Sequence, residues 1–156
     1  MGLIDAELLP ANERYAADFD KGDLPMPPGR RFAVVTCMDA RLDPAKFLGL
    51  EEGDAHVIRN AGGIVSDDAF RSLVISRHLL GTDAVIVVGH TDCGMLTFND
   101  EEVQERLGTD IAFHAFPDVQ ARVAESVRRV KESPLLTDAV RGFVYDVTTG
   151  RISEVA

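Results

Sequence analysis

Three short apolar runs alternate with segments of helical character, and this alternation limits the folds open to the chain. The runs lie at residues 32–36, 55–59 and 84–89 and contain Val, Ile or Thr, which favour strands. Asp43 and Ser66 stand between the runs at positions typical of helix N-caps. Strands that alternate with helices form right-handed βαβ units with parallel strands. We therefore predict an α/β fold with a mainly parallel central β-sheet flanked by helices.

The second half of the chain is predicted to add two helices and two strands. One helix follows Asn99 and ends at Gly108. Another spans residues 118–133, where valines recur on one face. Residues 142–156 are predicted to form a strand, a Gly-containing turn and a short final strand.

The N-terminal part of the chain is predicted to be set off from the rest. Residues 3–19 space their apolar side chains as an amphipathic helix does, whereas residues 21–31 contain prolines and glycines that break a helix. Residues 1–29 are thus a helix and a connector within a single domain of 156 residues. Two arrangements remain open: this helix packs on a partner subunit, or it packs on its own core.

The composition argues against several classes of partner. The chain has 16 basic and 26 acidic residues and a formal charge of −10, which argues against nucleic-acid phosphates. It contains no apolar stretch long enough to span a membrane, and its N-terminus lacks the pattern of a secretory signal. We therefore expect a cytoplasmic protein, whose two cysteines bind a metal or act in catalysis rather than form a disulfide.

Polar residues follow each of the first three predicted strands. Cys37 follows the first strand, the segment RNAGG at residues 59–63 follows the second, and His90 follows the third. In parallel sheets, ligands bind beyond the carboxyl ends of the strands. We expect these three clusters to meet at one edge of the sheet.

Cys37, His90 and Cys93 form a candidate metal site. Two thiolates and an imidazole suit zinc, and three protein ligands are typical of a catalytic zinc whose open position takes water. Cys37 by itself would be an ordinary core thiol, and the H-x-x-C spacing by itself is a weak signal. His56 and His78 fall inside a predicted strand and a predicted helix, so we interpret them as structural or surface residues.

Asp39 and Arg41 flank the candidate site. Asp39 either binds the metal and closes the site, or accepts a hydrogen bond from metal-bound water while Arg41 holds it by a bidentate pair. In the second arrangement the attacking oxygen is aimed at an incoming electrophile. A plain structural ion pair is the simpler alternative.

Asn60, Ala61, Gly62 and Gly63 are candidate substrate-binding residues. The two glycines allow positive φ and close backbone approach, and exposed N–H groups there would polarise a small oxygen-bearing substrate. An ordinary tight turn is the alternative.

These motifs resemble those of the β-class carbonic anhydrases. The match consists of Cys-x-Asp-x-Arg, R-N-A-G and H-x-x-C after successive strands, over about residues 32–95. The resemblance implies that the three ligands above bind one zinc ion per chain and that Asp39 and Arg41 are the catalytic pair. It also implies a homodimer or homotetramer, because an N-terminal helix embraces the partner in that family.

The resemblance is to a short, actinobacterial-type branch of that class. Ala40 stands where many plant-like members have Ser, and the chain has no Trp. The branch includes carbonic anhydrases, in which zinc hydroxide converts carbon dioxide reversibly to bicarbonate. It also includes carbonyl sulfide hydrolase, which converts carbonyl sulfide and water to carbon dioxide and hydrogen sulfide. Phe113 and Phe116 would contribute either to the pocket that separates these substrates or to plain packing.

Two further classes remain as alternatives. In a non-catalytic zinc protein, Asp39 would be the fourth ligand and the metal would only stabilise the fold. A thiol redox protein is disfavoured because Cys37 and Cys93 do not form a C-x-x-C pair.

Overall fold

The computed structural model describes residues 2–156, which form a five-stranded sheet with helices on its faces. The helices, in chain order, are α1 (Leu9–Ala17, preceded by a π-helical segment at Ile4–Leu8), α2 (Pro44–Leu48), α3 (Asp67–His78), α4 (Asp100–Leu107) and α5 (Val119–Lys131). The strands are β1 (Phe32–Cys37), β2 (Ala55–Asn60), β3 (Ala84–His90), β4 (Val140–Tyr145) and β5 (Ile152–Glu154).

The sheet has the strand order β2-β1-β3-β4-β5, and β1 to β4 are parallel while β5 is antiparallel to β4. The register aligns the carboxyl ends of β1, β2 and β3, because Cys37 lies opposite Asn60 and Thr36 lies opposite Val88. The predicted α/β architecture is therefore confirmed, and the three polar clusters lie at one edge.

The main difference from the sequence prediction is the length of β1 and β3. Cys37 and His90 were expected just after these strands, but each is the last residue of its strand. Both stay in the sheet because the ladder continues through their pairing with Asn60 and Tyr145. One predicted helix end also shifts, since α5 ends at Lys131 rather than at residue 133.

Side-chain caps begin four of the helices, three of them at predicted cap residues, whereas Asp118 was predicted as the first residue of its helix and is the cap before it. Asp43, Ser66, Asn99 and Asp118 each accept a hydrogen bond from the main-chain N–H three residues later. Such caps satisfy N–H groups that the helix itself leaves unpaired.

The N-terminal helix does not pack on the core of its own chain. No residue from 2 to 20 is buried, and Leu8, Tyr15 and Phe19 remain 52%, 55% and 49% exposed. The arrangement in which this helix packs on its own core is thus wrong. None of the described helices is both long enough and apolar enough to cross a membrane.

The main core lies between the sheet and helices α3 and α5. Val35, Val87 and Val123 belong to one buried cluster with Leu73. Helix α5 approaches the sheet closely at Gly142 of β4, where an added Cβ would lie 2.6 Å from Val123 Cγ1. A side chain at this position has no room, because the nearest atoms belong to a helix held in the core.

Gly142→Ala is expected to lower the free energy of unfolding by about 1–3 kcal/mol, because the added methyl group must displace α5 from the sheet. Urea denaturation measures this change. Gly22→Ala is the matched control, since the nearest atom to its added Cβ is 4.0 Å away. Equal stability of the two variants would contradict the packing described here.

Candidate metal centre

Cys37, His90 and Cys93 come together at the edge of the sheet. One ligand atom from each side chain lies within 4.8 Å of the others, and all three residues are buried. Cys37 ends β1, His90 ends β3, and Cys93 directly precedes a short 3₁₀ helix, Gly94–Leu96. The three residues predicted to bind a metal are therefore adjacent in space.

The His90 ring is oriented for metal binding. Its Nδ1 lies 2.7 Å from the main-chain oxygen of Thr91, an acceptor, so Nδ1 carries the proton. Nε2 then presents a lone pair toward the cluster, and this buried atom has no hydrogen-bond partner among residues 2–156. A cation between the three ligand atoms would satisfy Nε2, so the residues present fit a metal ion.

The pKa values of the two thiols shift in opposite directions. Hydrogen bonding to the Cys93 thiol is the main reason that the pKa of the Cys37 thiol lies well below its ordinary value. Burial opposes that shift, whereas His90 and the main-chain N–H groups of Asp39 and Gly62 add to it. The same thiol–thiol bond and burial raise the pKa of Cys93. The site is built to hold a thiolate, which is the form that binds metals.

Burial lowers the pKa of His90, but the Cys37 sulfur, the Thr91 main chain and nearby negative charge together raise it above its ordinary value. The imidazole therefore lies in a field that favours a positive charge. A metal cation placed there would meet the same favourable field.

Arg41 donates three hydrogen bonds to the Asp39 carboxylate. Asp39 Oδ1 accepts hydrogen bonds from the Arg41 main-chain N–H at 2.8 Å and from Nε at 3.0 Å. Oδ2 accepts from Nη2 at 2.8 Å and lies 3.7 Å from His90 Nε2. The Arg41 side chain, then its main-chain N–H, hold the pKa of Asp39 well below its usual range. The carboxylate is thus ionised, and one acceptor position of Oδ2 remains on the side of the ligand cluster.

Asp92 is a site residue that sequence reasoning missed. Its Oδ2 and its main-chain oxygen each accept a hydrogen bond from Arg41, both at 2.9 Å. The backbone of Asp92 is left-handed, with φ 52°, which is uncommon for a residue other than glycine. Arg41 therefore joins the Asp39 loop to the loop that carries His90 and Cys93. The position of Asp92 within H-T-D-C did not indicate this contact, because Arg41 lies 51 residues away in the sequence.

Arg59 is the second residue that the sequence did not reveal. It was noted only as part of RNAGG, yet its guanidinium donates to the main-chain oxygens of Cys37, Asp39 and Leu42 at 2.9, 2.9 and 3.1 Å. These bonds hold the turn between the first ligand and the Asp39 carboxylate.

The candidate substrate-binding residues occupy two different environments. Ala61 and Gly62 line the cavity beside the ligands. The Asn60 side chain instead bonds both main-chain groups of Ile64, at 2.8 and 3.0 Å. Gly63 has φ 62°, and a Cβ there would lie 2.7 Å from the Cys37 main-chain nitrogen. Asn60 and Gly63 therefore shape the turn, whereas Ala61 and Gly62 face the space that a substrate would enter.

The cavity is small and mostly apolar. Its volume is about 340 Å³, and its lining residues are Cys37, Met38, Asp39, Ala61, Gly62, Cys93, Gly94, Met95, Thr97 and Phe98. His56 and His78 lie elsewhere, as expected, and bond Ser76 Oγ and the Leu135 main-chain oxygen. The site thus combines a metal-binding cluster, a fixed carboxylate and room for a small, uncharged molecule.

A family model described as carbonic anhydrase matches residues 32–133. The chain belongs to the β-carbonic anhydrase family. It is 47% identical over 157 residues to beta-carbonic anhydrase 1 of Mycobacterium tuberculosis, across 96% of both chains. The match therefore extends beyond the ligand motifs to nearly the whole chain.

Other relatives differ in name or in coverage. A carbon disulfide hydrolase of Acidianus is 51% identical over 100 residues, which cover 64% of this chain and 47% of that protein. Among solved structures, a carbonic anhydrase from Glaciozyma antarctica superimposes with a TM-score of 0.92 at 46% identity over the full length of both chains. The family thus includes enzymes named for two substrates.

Arg59→Met is expected to weaken zinc binding by about 10–100-fold, because the Cys37–Leu42 turn loses the donors that orient a ligand. Competition with a chromophoric chelator measures the affinity. Arg106→Met, at an exposed position of α4, is the matched control. Unchanged affinity in Arg59→Met would mean that the turn keeps its shape without the guanidinium.

Proposed function

We propose that this protein is a zinc-dependent carbonic anhydrase that interconverts carbon dioxide and bicarbonate. The observation that carries the proposal is the convergence of Cys37, His90 and Cys93 beside a carboxylate that Arg41 holds. Zinc, if bound by these three residues, would act as a Lewis acid that makes a water molecule more acidic, although less so than at a site of three imidazoles because two thiolates offset its charge.

The proposed role of Asp39 is to accept a hydrogen bond from the nucleophile at Oδ2. Oδ1 already receives two hydrogen bonds from Arg41 and Oδ2 receives one, so the free acceptor position is on Oδ2. A proton held there orients the oxygen lone pair away from Asp39 and toward the substrate. Because Arg41 keeps the Asp39 carboxylate ionised, Asp39 has no proton to donate and can only accept the hydrogen bond from the nucleophile.

The cavity walls would select the substrate by excluding water and charge. Met38, Met95 and Phe98 present apolar atoms, which suit an uncharged linear molecule such as carbon dioxide. Gly62 allows the wall to approach closely, since an added Cβ would lie 2.9 Å from Phe116 Cε1.

Carbonyl sulfide hydrolysis is the second candidate, as the same attack on a sulfur analogue. The apolar wall and the relatives named carbon disulfide hydrolase favour a role for sulfur-containing substrates. A non-catalytic zinc site with Asp39 as fourth ligand is less consistent with the structure, because three hydrogen bonds hold that carboxylate on Arg41.

The purified chain is expected to contain one zinc ion per subunit and to hydrate carbon dioxide faster than it hydrolyses carbonyl sulfide or carbon disulfide. Metal analysis and stopped-flow assays on the three substrates test this. His90→Gln should lose both zinc and activity, because an amide replaces the imidazole ligand. His78→Gln, outside the site, should keep both. Full activity in His90→Gln would refute the proposed site.

We further propose that the protein is a homodimer, or a tetramer of such dimers, in the cytoplasm. The N-terminal helix carries Leu8, Tyr15 and Phe19 on its surface, and all three are about half exposed in the single chain. A helix with such a surface is stabilised mainly by tertiary or subunit packing. A second copy of this chain is the proposed partner.

Light scattering is expected to give a dimer or larger assembly for the full chain. Leu8→Glu combined with Tyr15→Glu should shift the mass toward the monomer, because each substitution places a charge in the proposed apolar interface. Ala17→Glu, an exposed position on the opposite face of the same helix, should leave the mass unchanged. A monomeric full chain would overturn the proposal.

A further inference from the structure

A single carboxylate organises the loop that follows α4. Asp100 Oδ2 accepts hydrogen bonds from the main-chain N–H groups of Phe113 and His114 at 2.9 and 3.0 Å, and Oδ1 accepts one from Ala115 at 2.9 Å. The backbone of His114 is left-handed, with φ 62°. Three successive N–H groups therefore converge on one acidic side chain, in the manner of an anion-binding nest.

The part of this loop next to Phe116 is held mainly by Asp100, whereas Gln104 bonds its first residues at Thr109 and Ile111. Residues 109–117 form neither helix nor strand. Within residues 2–156, the N–H groups of Phe113, His114 and Ala115 have only the Asp100 oxygens as acceptors. Their hydrogen bonds, that of Ala115 first, hold the pKa of Asp100 below its usual range. The carboxylate is thus ionised at neutral pH and bonds these amides more strongly than a neutral group would.

The loop places Phe116 against the residues that line the substrate cavity. Phe116 directly follows the three clamped residues, and its main-chain N–H donates to the Met95 oxygen at 3.2 Å. Its ring is only 7% exposed and belongs to the buried cluster that contains Cys37, Cys93 and Met95. Met95 and Gly62 line the cavity, and Phe116 packs directly behind both.

Space for Phe116 to move exists on its other side. A second cavity of about 390 Å³ is lined by Phe98, Asp100, Ala115, Phe116 and other residues. Phe98 borders both this cavity and the one beside the ligands. If the loop relaxed, the Phe116 ring could shift outward, and the wall formed by Met95 and Gly62 would lose its support.

We propose that Asp100 is a positioning residue that sets the width of the substrate cavity by clamping the 113–115 main chain and thereby holding Phe116 against Met95 and Gly62. The inference rests on the proposed function for its substrate, a small linear molecule. It does not require Asp100 to touch that substrate, which distinguishes Asp100 from the catalytic pair.

Asp100→Asn tests the clamp, because the amide keeps the size of the side chain but removes its charge and one acceptor oxygen. Hydrogen exchange of the amides at residues 113–115 should accelerate by about tenfold or more in the zinc-loaded protein. The kcat/KM for carbon dioxide should fall by about three- to tenfold at unchanged zinc content, as expected when a supporting wall is loosened. Asp110→Asn, an exposed acid of the same loop, should change neither quantity.

The route through Phe116 is tested by a double-mutant cycle. In a Phe116→Ala background, Asp100→Asn should still accelerate exchange but should no longer lower kcat/KM, because the ring that Asp100 positions is gone. An equal loss of kcat/KM in both backgrounds would overturn the inference. So would unchanged exchange in Asp100→Asn.

The outcomes separate this inference from the proposed function. Absence of carbon dioxide hydration in the unaltered zinc-loaded chain would refute the function alone. In that case the nuclear Overhauser contacts between the Phe116 ring and the Met95 side chain should still weaken in Asp100→Asn, and their persistence would refute the clamp. Should Asp100→Asn not fold, Asp100→Glu retains the charge and displaces the oxygens, and it should give the same changes at smaller size.

Discussion

The buried Nε2 of His90, which has no hydrogen-bond partner within the described residues 2–156, is the constraint on which the rest of the site depends. Leaving a buried polar atom unpaired costs about 1–3 kcal/mol, and folds usually avoid that cost. Here the imidazole is fixed at the end of a central strand, and its Nδ1 is committed to the Thr91 main chain. The Cys37 and Cys93 thiols lie beside it in the same buried space, where the pKa of Cys37 is lowered and the pKa of Cys93 is raised. This arrangement is best explained by a cation that all three side chains bind.

Two arginines fix the geometry of the loops around the His90 imidazole. Arg59 donates hydrogen bonds to three main-chain oxygens of the turn after β1, and these bonds stabilise the conformation of the turn. Arg41 connects this turn to the loop after β3 by binding both Asp39 and Asp92. Guanidinium groups suit these roles because their donors are planar and rigidly spaced. The Asp39 carboxylate is therefore held in place by bonds from outside the metal cluster.

The cavity shows how the fold would limit the size and polarity of a substrate beside the candidate metal site. Gly62 and Gly63 let the turn after β2 approach the Cys37 main chain and the Phe116 ring, at distances that leave no room for a side chain. The wall is apolar, and its support comes from a loop whose N–H groups at residues 113–115 are bonded by the Asp100 carboxylate. Under the proposed function, selectivity among small linear substrates would thus depend on residues of the cavity wall and its supporting loop, whereas reactivity would depend on the candidate ligands and Asp39.

The sequence alone predicted the α/β class, the strands, three helix caps and the three candidate ligands. These features are local: a cap needs a particular side chain a fixed number of residues before an N–H, and a strand needs an apolar run. The ligands were predictable because the carboxyl ends of parallel strands meet at one edge. Only the tertiary structure revealed that Arg59 and Asp92 organise the site, that Asn60 bonds its own turn, and that the N-terminal helix lies off the core. Each of these depends on contacts between distant segments or on space that packing leaves, and neither is encoded in the spacing of residues along the chain.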